Sequence, residues 1–411
     1  MSVSEAEAAG LRRLLTPEGQ ALLKSLPPYD PGHALRLGKE LRRHADPELV
    51  AAALTQQRLR ERARSKLGDF AHALLFTEAG LQQATRIEVA AHHARRFRDA
   101  GITRVHDLGC GLGVDSLAIA ALGIDVTAVE RDEATAALAT LNLAAFPNAR
   151  VVHGDALDHA RSAVGPDDGV YADPARRTSS GRTFDPAAYS PPLADVLAIR
   201  GRAPALGVKV APGIRYEHLP EDAHAQWVSV GGDVVEAGLW FGPLAPQGPG
   251  RSALVVGPHG HAELHVTSDP RSPAAQAPLV DQDTWQGEYL VEPDGAVIRA
   301  GGVAALAAEI HGASVSEGIA YLVASEPYAG PFGETFQITE ILPFSKARLS
   351  AWCRSNEIGA LEIKKRGVDV VPDRLRKALK LHGQNPATVV ITRIHGRHVV
   401  VVVRRMSPNA S

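Results

Sequence analysis

The sequence predicts an α/β protein, with a doubly wound parallel sheet between an N-terminal helical cap (residues 1–100) and a C-terminal α+β module (residues 344–405). Three observations predict it. An apolar run ends in an acid and opens into a tight glycine loop, Val105-His-Asp-Leu-Gly-Cys-Gly-Leu-Gly-Val114. From Gly101 onward, five short β-branched or apolar runs (103–108, 125–129, 150–153, 169–172 and 206–210) alternate with helical stretches, the pattern of strands joined by crossover helices. After residue 344 the order becomes helix, strand, helix, strand, strand.

In the cap, Asp46-Pro47 starts a long helix that Gly68 ends, since a carboxylate caps the free N–H groups and proline suits the first turn. Its cations Arg58, Arg60, Arg62, Arg64 and Lys66 spread around the helix, as a solvated surface or as contacts to substrate phosphates. In the central region, 101–257, the runs 227–240 and 252–256 read as a closing antiparallel hairpin around the Pro/Gly-rich turn 242–250. Residues 258–343 read as a connecting mixed α/β region whose first part, 258–282, is a plain connection. In the last module, Ser345 caps a helix that ends before Gly359, and a strand runs through Ile363. A helix follows from Pro372 to Gly383, and a hairpin turns at His395-Gly396, giving αβαββ.

A chain of 411 residues with 45% apolar and 22% charged composition has enough apolar material for two or three cores. It contains no apolar run of the ~20 residues that a bilayer requires, and Met1-Ser-Val-Ser-Glu-Ala-Glu lacks a signal-peptide layout, so a cytoplasmic location is expected. Two cysteines, Cys110 and Cys353, make neither a disulfide framework nor a zinc spacing. His259, His261 and His265 alternate, but no carboxylate or thiolate completes a shell, so no metal is expected. His92-His93 do not share a helical face. The charge is uneven: the last 66 residues carry fourteen lysines and arginines against four carboxylates, and the body before them is acidic. Such a tail suits a polyanion, although a solvated basic face looks the same.

Gly109, Gly111 and Gly113 let backbone pass close to a ligand, and Asp107 can accept from an ammonium or a hydroxyl. The G-x-G-x-G spacing is tighter than the loop that usually holds a pyrophosphate, which suits S-adenosylmethionine better than a dinucleotide. Glu130, at the end of the second run, is placed to take both ribose hydroxyls, and Asp155 after the third to accept from the adenine amine. Asp173-Pro174 follow the fourth run, where a carboxylate can accept from an amine and aim its lone pair at a methyl group.

These motifs together resemble those of class I S-adenosylmethionine-dependent methyltransferases. The resemblance implies a Rossmann-like, seven-stranded sheet, S-adenosylmethionine as cofactor, and a nucleobase nitrogen as acceptor. Within it, Asp107, the three glycines, Glu130 and Asp155 hold the cofactor, while Asp173 and Pro174 face the acceptor. The chain departs from the family at Ala175-Arg176, where a second proline and a stacking aromatic are usual. Arg176 or Arg177 can instead stack a guanidinium or hold a phosphate. Leu81-Gln-Gln-Ala-Thr85 is similar to the segment before the first motif in trimethylguanosine-synthase-like enzymes, which places Thr85 at the cofactor; a helix N-cap is its alternative. The C-terminal αβαββ unit, with Leu361-Glu-Ile-Lys-Lys-Arg-Gly367, resembles a THUMP-like domain, related to modules that hold RNA. Lys364, Lys365 and Arg366 then read as a phosphate platform, with Arg374, Arg376, Lys377 and Lys380 on the next helix. Lys209 reads as a substrate contact or as a lysine that snorkels out. The resulting expectation is a methyltransferase acting on tRNA or rRNA. An RNA-binding protein that keeps only the cofactor fold, and a small-molecule methyltransferase, are the alternatives.

Overall fold

The computed structural model describes residues 5–175, 177–178, 181–182, 185–258, 260–280 and 288–406, with the side chains of 5–8, 177–178 and 181–182 left aside. Its contacts divide into two compact units: one of Met1–His218, Asp222–His224 and Ala237–Gly248, the other of the remaining segments through Ser411.

The first unit opens with helices α1 (Glu5–Leu14), α2 (Pro17–Ser25), α3 (Ala34–Leu41), α4 (Pro47–Leu67), α5 (Glu78–Gln83) and α6 (Ile87–Asp99). The α4 boundaries are those expected: Asp46 accepts from the Glu48 and Leu49 amides, and Gly68 follows the last turn. Then come β1 (Arg104–Leu108), α7 (Val114–Ala120), β2 (Asp125–Glu130), α8 (Glu133–Asn142), β3 (Ala149–His153), α9 (Ala156–Ala163) and β4 (Gly169–Ala172). A two-residue pair, β5 (Arg177–Thr178) and β6 (Gly181–Arg182), α10 (Leu193–Ala198) and β7 (Ala205–Val210) complete the alternation.

Two strands follow, β8 (His224–Val230) and β9 (Asp233–Trp240). The single run expected over 227–240 is therefore two strands. Gly231 and Gly232 both take positive φ (58° and 89°), which suits the two-residue turn of a hairpin. In the first unit the strand order is β3-β2-β1-β4-β7-β9, parallel except for β9 against β7. These are six of the seven strands that the sequence implies; β8 joins β9 through the glycine turn. One apolar core, including Leu59, Leu67, Phe76, Phe97, Val105, Leu117, Tyr171 and Trp240, runs from the cap helices to the sheet.

In the second unit, β10 (Gly250–Gly257) pairs antiparallel with β11 (Gly260–Thr267). β11 lies where a plain connection was expected. Its outward positions His261, Glu263 and His265 are exposed, so the strand shows only a weak apolar stripe. Beyond it are β12 (Tyr289–Pro293), α11 (Gly295–Ala300), α12 (Val303–Glu309), β13 (Ala313–Ser314), β14 (Leu322–Ala324) and β15 (Gly333–Pro343). The end of the chain is α13 (Lys346–Ser355), β16 (Ile358–Lys365), α14 (Pro372–Leu379), β17 (Asn385–Ile394) and β18 (Arg397–Arg405), which is the expected αβαββ order. Ser345 caps α13, and His395 and Gly396 turn the last hairpin with φ of 46° and 76°. The sheet order is β13-β14-β12-β15-β18-β17-β16. Among the described residues no helix is long and apolar enough to cross a membrane.

Candidate active site

The parallel register places the candidate site residues at the carboxyl ends of β1, β2, β4 and β7, the edge where doubly wound sheets bind ligands. After β1 the chain turns through Gly109, Gly111 and Gly113, all at positive φ (84°, 55° and 82°). A Cβ on Gly109 would stand 3.0 Å from the Asp173 carbonyl oxygen, whereas one on Gly111 would meet nothing within 4 Å among the described residues. The loop thus packs against the end of β4 at one glycine and leaves open space at the next.

Asp107 is 1% exposed. Ser116 donates to its Oδ2 at 2.5 Å, while Oδ1 has no partner among the described residues. Burial, and then the charge of Asp115, pushes its carboxyl up to about 8. Both Glu130 oxygens accept from backbone, Oε2 from the Gly111 amide (3.1 Å) and Oε1 from the Asp132 amide (2.8 Å), so the loop itself orients this acid. Asp155 is exposed and caps α9, its Oδ1 accepting from the Leu157 and Asp158 amides.

Asp173 follows directly after β4, and Pro174 is buried. The β4–β7 register pairs Ala172 with Val208, which brings the next residues, Asp173 and Lys209, side by side. Lys209 is 4% exposed, so it does not snorkel out. It donates to Asp173 Oδ2 at 2.9 Å and to Thr85 Oγ1 at 3.0 Å. Thr85 is no helix cap: α6 starts after Arg86, and the Thr85 hydroxyl donates to Asp115 Oδ2 at 2.7 Å. His93 Nδ1 lies 2.8 Å from Asp115 Oδ1 and 3.0 Å from the Tyr171 hydroxyl. Burial opposes a charge on Asp115, yet the His93 hydrogen bond and the charges of His93 and Lys209 hold its carboxyl below the usual range.

Asp115, His93 and Tyr171 were not among the expected site residues. A signal for Asp115 was present, since it stands two residues past the last loop glycine in the first turn of α7. His93 and Tyr171 carried none, because only tertiary packing brings α6 against β4.

Ala175 is bridged in both directions to Ser190 (2.9 Å each) at the place where the second proline is usual. Arg176 lies outside the described residues, as do the Arg177 side chain and His259. Four of the five α4 cations turn toward the segment that delivers Thr85, while Arg64 pairs with Glu61 on α4 itself (3.5 Å). Arg58 and Arg62 each reach Glu78 at 2.5 Å, and Arg60 donates to the Leu74 carbonyl at 2.9 Å. Lys66 donates to the carbonyls of Leu81, Gln82 and Ala84 at the end of α5, and burial, then Lys209 and Arg86, bring it down to about 8. In the second unit, Lys364 pairs with Glu292 (2.7 Å) and Glu334 (3.2 Å), and Arg366 with Glu292 (3.6 Å). Strand alternation leaves the intervening Lys365 exposed, with Arg374, Lys377 and Lys380 also exposed on and after α14.

Comparison with known proteins adds a family to this geometry. A family model described as THUMP domain-like matches residues 333–405, and one described as a domain of unknown function (DUF8688) matches 7–63. An uncharacterized S-adenosylmethionine-dependent methyltransferase of Mycobacterium tuberculosis, found in strains CDC 1551 / Oshkosh and ATCC 25618 / H37Rv, is 36% identical over 364 residues. The match covers 85% of this chain and 95% of the relative. The fold matches the crystal structure of a candidate methyltransferase from Porphyromonas gingivalis W83 with a TM-score of 0.73 at 22% identity, over 99% of this chain and all of the other. With a relative this similar over nearly its whole length, the chain belongs to the S-adenosylmethionine-dependent methyltransferases and uses S-adenosylmethionine as its cofactor.

Proposed function

We propose that this enzyme methylates a nitrogen of an RNA base, in tRNA or rRNA, in the cytoplasm. The observation that carries the reading is the position of Asp173: its backbone carbonyl abuts the glycine loop at Gly109, while its carboxylate is held by Lys209. An acid at that place accepts hydrogen bonds from an amine and holds its lone pair in line with the reacting carbon. Pro174 fixes the backbone behind it.

The residues present fit the cofactor. The unpartnered, buried Asp107 Oδ1 is an acceptor for its ammonium, and the open space above Gly111 admits its body. The second lone pairs of the Glu130 oxygens take the ribose hydroxyls, and Asp155 Oδ2 takes the adenine amine. When bound, the sulfonium supplies an electrophilic methyl group and leaves as a neutral thioether. The proton lost by the acceptor nitrogen passes to the Asp173 carboxylate or to water.

The THUMP-like unit and its exposed Lys365, Arg374, Lys377 and Lys380 support RNA as the acceptor, since such cations hold a phosphate backbone without reading sequence. A small-molecule acceptor is the second reading. It is favoured by the pairing of Lys364 and Arg366 with Glu292 and Glu334, which takes two expected phosphate contacts out of play.

The test is mass spectrometry of nucleosides in RNA from cells with and without the gene. One methylated nucleoside is expected to vanish, to return with the wild-type chain, and to reach no more than about a hundredth of that level with Asp173→Ala. Identical nucleoside profiles would sink the RNA reading.

A further inference from the structure

Lys209 is a buried ammonium near the carboxyl end of β7, and its neighbours define what it can do. Three carboxylates, Asp107, Asp115 and Asp173, surround the carboxyl ends of β1 and β4, and the Lys209 charge acts on all three. Thr85 links two of them, Asp115 and Asp173, by an ordered relay through Lys209. Its single hydroxyl proton goes to Asp115 Oδ2, so its oxygen receives the Lys209 ammonium. With one ammonium proton committed there, another is aimed at Asp173 Oδ2 at 2.9 Å. Asp115 is in turn fixed by His93. The anchoring chain therefore runs from α6 and the first turn of α7, through Lys209, to the acid after β4.

We propose that Lys209 is the positioning residue for Asp173: it holds Oδ2, so that Oδ1 is the oxygen that accepts from the acceptor amine. The proposal rests on Asp173 as the acceptor-side acid. It replaces the view of Lys209 as a substrate contact. Lys209 is 5% exposed in its side chain and Asp173 is 27% exposed, so the acid, not the lysine, is the member of the pair that an acceptor can reach. A stabilising role is a poor explanation, because an ion pair this deep is costly to desolvate and an apolar side chain of similar volume generally serves stability as well. What an apolar side chain cannot do is fix a carboxylate to within a fraction of an ångström, and in-line transfer is sensitive to misplacement on that scale.

The experiment measures transfer of labelled methyl groups from S-adenosylmethionine by the full chain. The acceptors are total RNA and, separately, small-molecule extract from cells that lack the gene. Lys209→Met, Lys209→Gln, Asp173→Ala and the double variant Asp173→Ala/Lys209→Met are compared in single turnover. Cofactor affinity and acceptor KM of Lys209→Met are expected to stay within about threefold of wild type, while its transfer rate falls by about a hundredfold. Lys209→Gln, which keeps a donor of shorter reach, is expected to fall in between, and it carries the test if the Met variant does not fold. Because the lysine acts through the acid, Lys209→Met should slow the Asp173→Ala enzyme by less than about threefold.

A full additional loss in the double variant would mean that Lys209 acts on the acceptor itself, and the proposal would be overturned. An unchanged rate in Lys209→Met would overturn it equally. Label appearing only in small molecules would instead remove RNA as the acceptor, and the Lys209 comparison is then read on that fraction.

Discussion

The buried carboxyl of Asp107 makes the stability of the ligand-free enzyme depend on pH in an unusual direction. Its pKa is about 8 in the fold against 3.8 for the free side chain, with burial and the Asp115 charge as causes. A carboxyl whose folded pKa is raised binds its proton more tightly in the folded state. Its favourable contribution is thus complete below pH 3.8 and is lost as pH rises toward 8. At 1.36 kcal/mol per unit, and with the titration nearly half complete at the upper end, the loss between pH 6 and pH 8 is about 2 kcal/mol. Asp107→Asn removes the titration and keeps the shape. Urea unfolding of both proteins without cofactor, at pH 6 and pH 8, should show wild type losing about 2 kcal/mol relative to the variant over that interval. Taking the difference across pH cancels any fixed cost of the amide. A difference that is flat within about 0.5 kcal/mol would refute the reasoning. The same proton has a second readout. If the cofactor's ammonium binds Asp107 Oδ1 as proposed, it displaces this proton at pH 6.5, so calorimetric binding enthalpies should vary with the ionisation enthalpy of the buffer as for release of about one proton. Asp107→Asn should show no such release and should bind S-adenosylmethionine about ten- to a hundredfold more weakly, the loss of one charged hydrogen bond.

Three further outcomes are expected. Gly109→Ala puts a Cβ at φ 84° and 3.0 Å from the Asp173 carbonyl oxygen, so it should destabilise the protein by about 1–3 kcal/mol in urea titrations and weaken cofactor binding. Asn142 donates to the carbonyls of Leu75 and Leu112 and accepts from the Leu75 amide; Asn142→Ala leaves buried backbone groups unpaired and should cost about 2–3 kcal/mol by the same titration. A variant as stable as wild type would show that this tie between the cap and the loop is unimportant. Arg374→Glu with Lys377→Glu, at exposed positions of α14, should weaken RNA binding and flatten its salt dependence by about 0.7 log unit for each phosphate that is no longer neutralised, with calorimetric affinity for S-adenosylmethionine unchanged. Filter binding with an unchanged salt slope would remove α14 from the RNA surface.

The parts of the candidate site that were legible are those in which one short segment contains both the structural signal and the proposed chemistry. Asp107 with its glycines, Glu130 and Asp173-Pro174 each sit where an apolar run stops, and in a parallel sheet every such stop falls on the same edge. The caps at Asp46 and Ser345 were legible for the same local reason. What could not be read is who pairs with whom. Lys209 occupies an otherwise apolar strand, Gly207-Val-Lys-Val210, and whether its ammonium turns out to solvent or inward depends on a carboxylate that only the β4–β7 register supplies. The cations of α4 posed the same question, and for Arg58, Arg62 and Lys66 it was answered by Glu78 and the carbonyls at the end of α5. A charge on a helix or strand announces its type but not its partner. Buried charges are tolerated only with partners, so the least legible residues are those whose position constrains function most. Lys209 is the sharpest instance: its neighbours in sequence are apolar, while its neighbours in space, Thr85 and Asp173, come from segments more than thirty residues away.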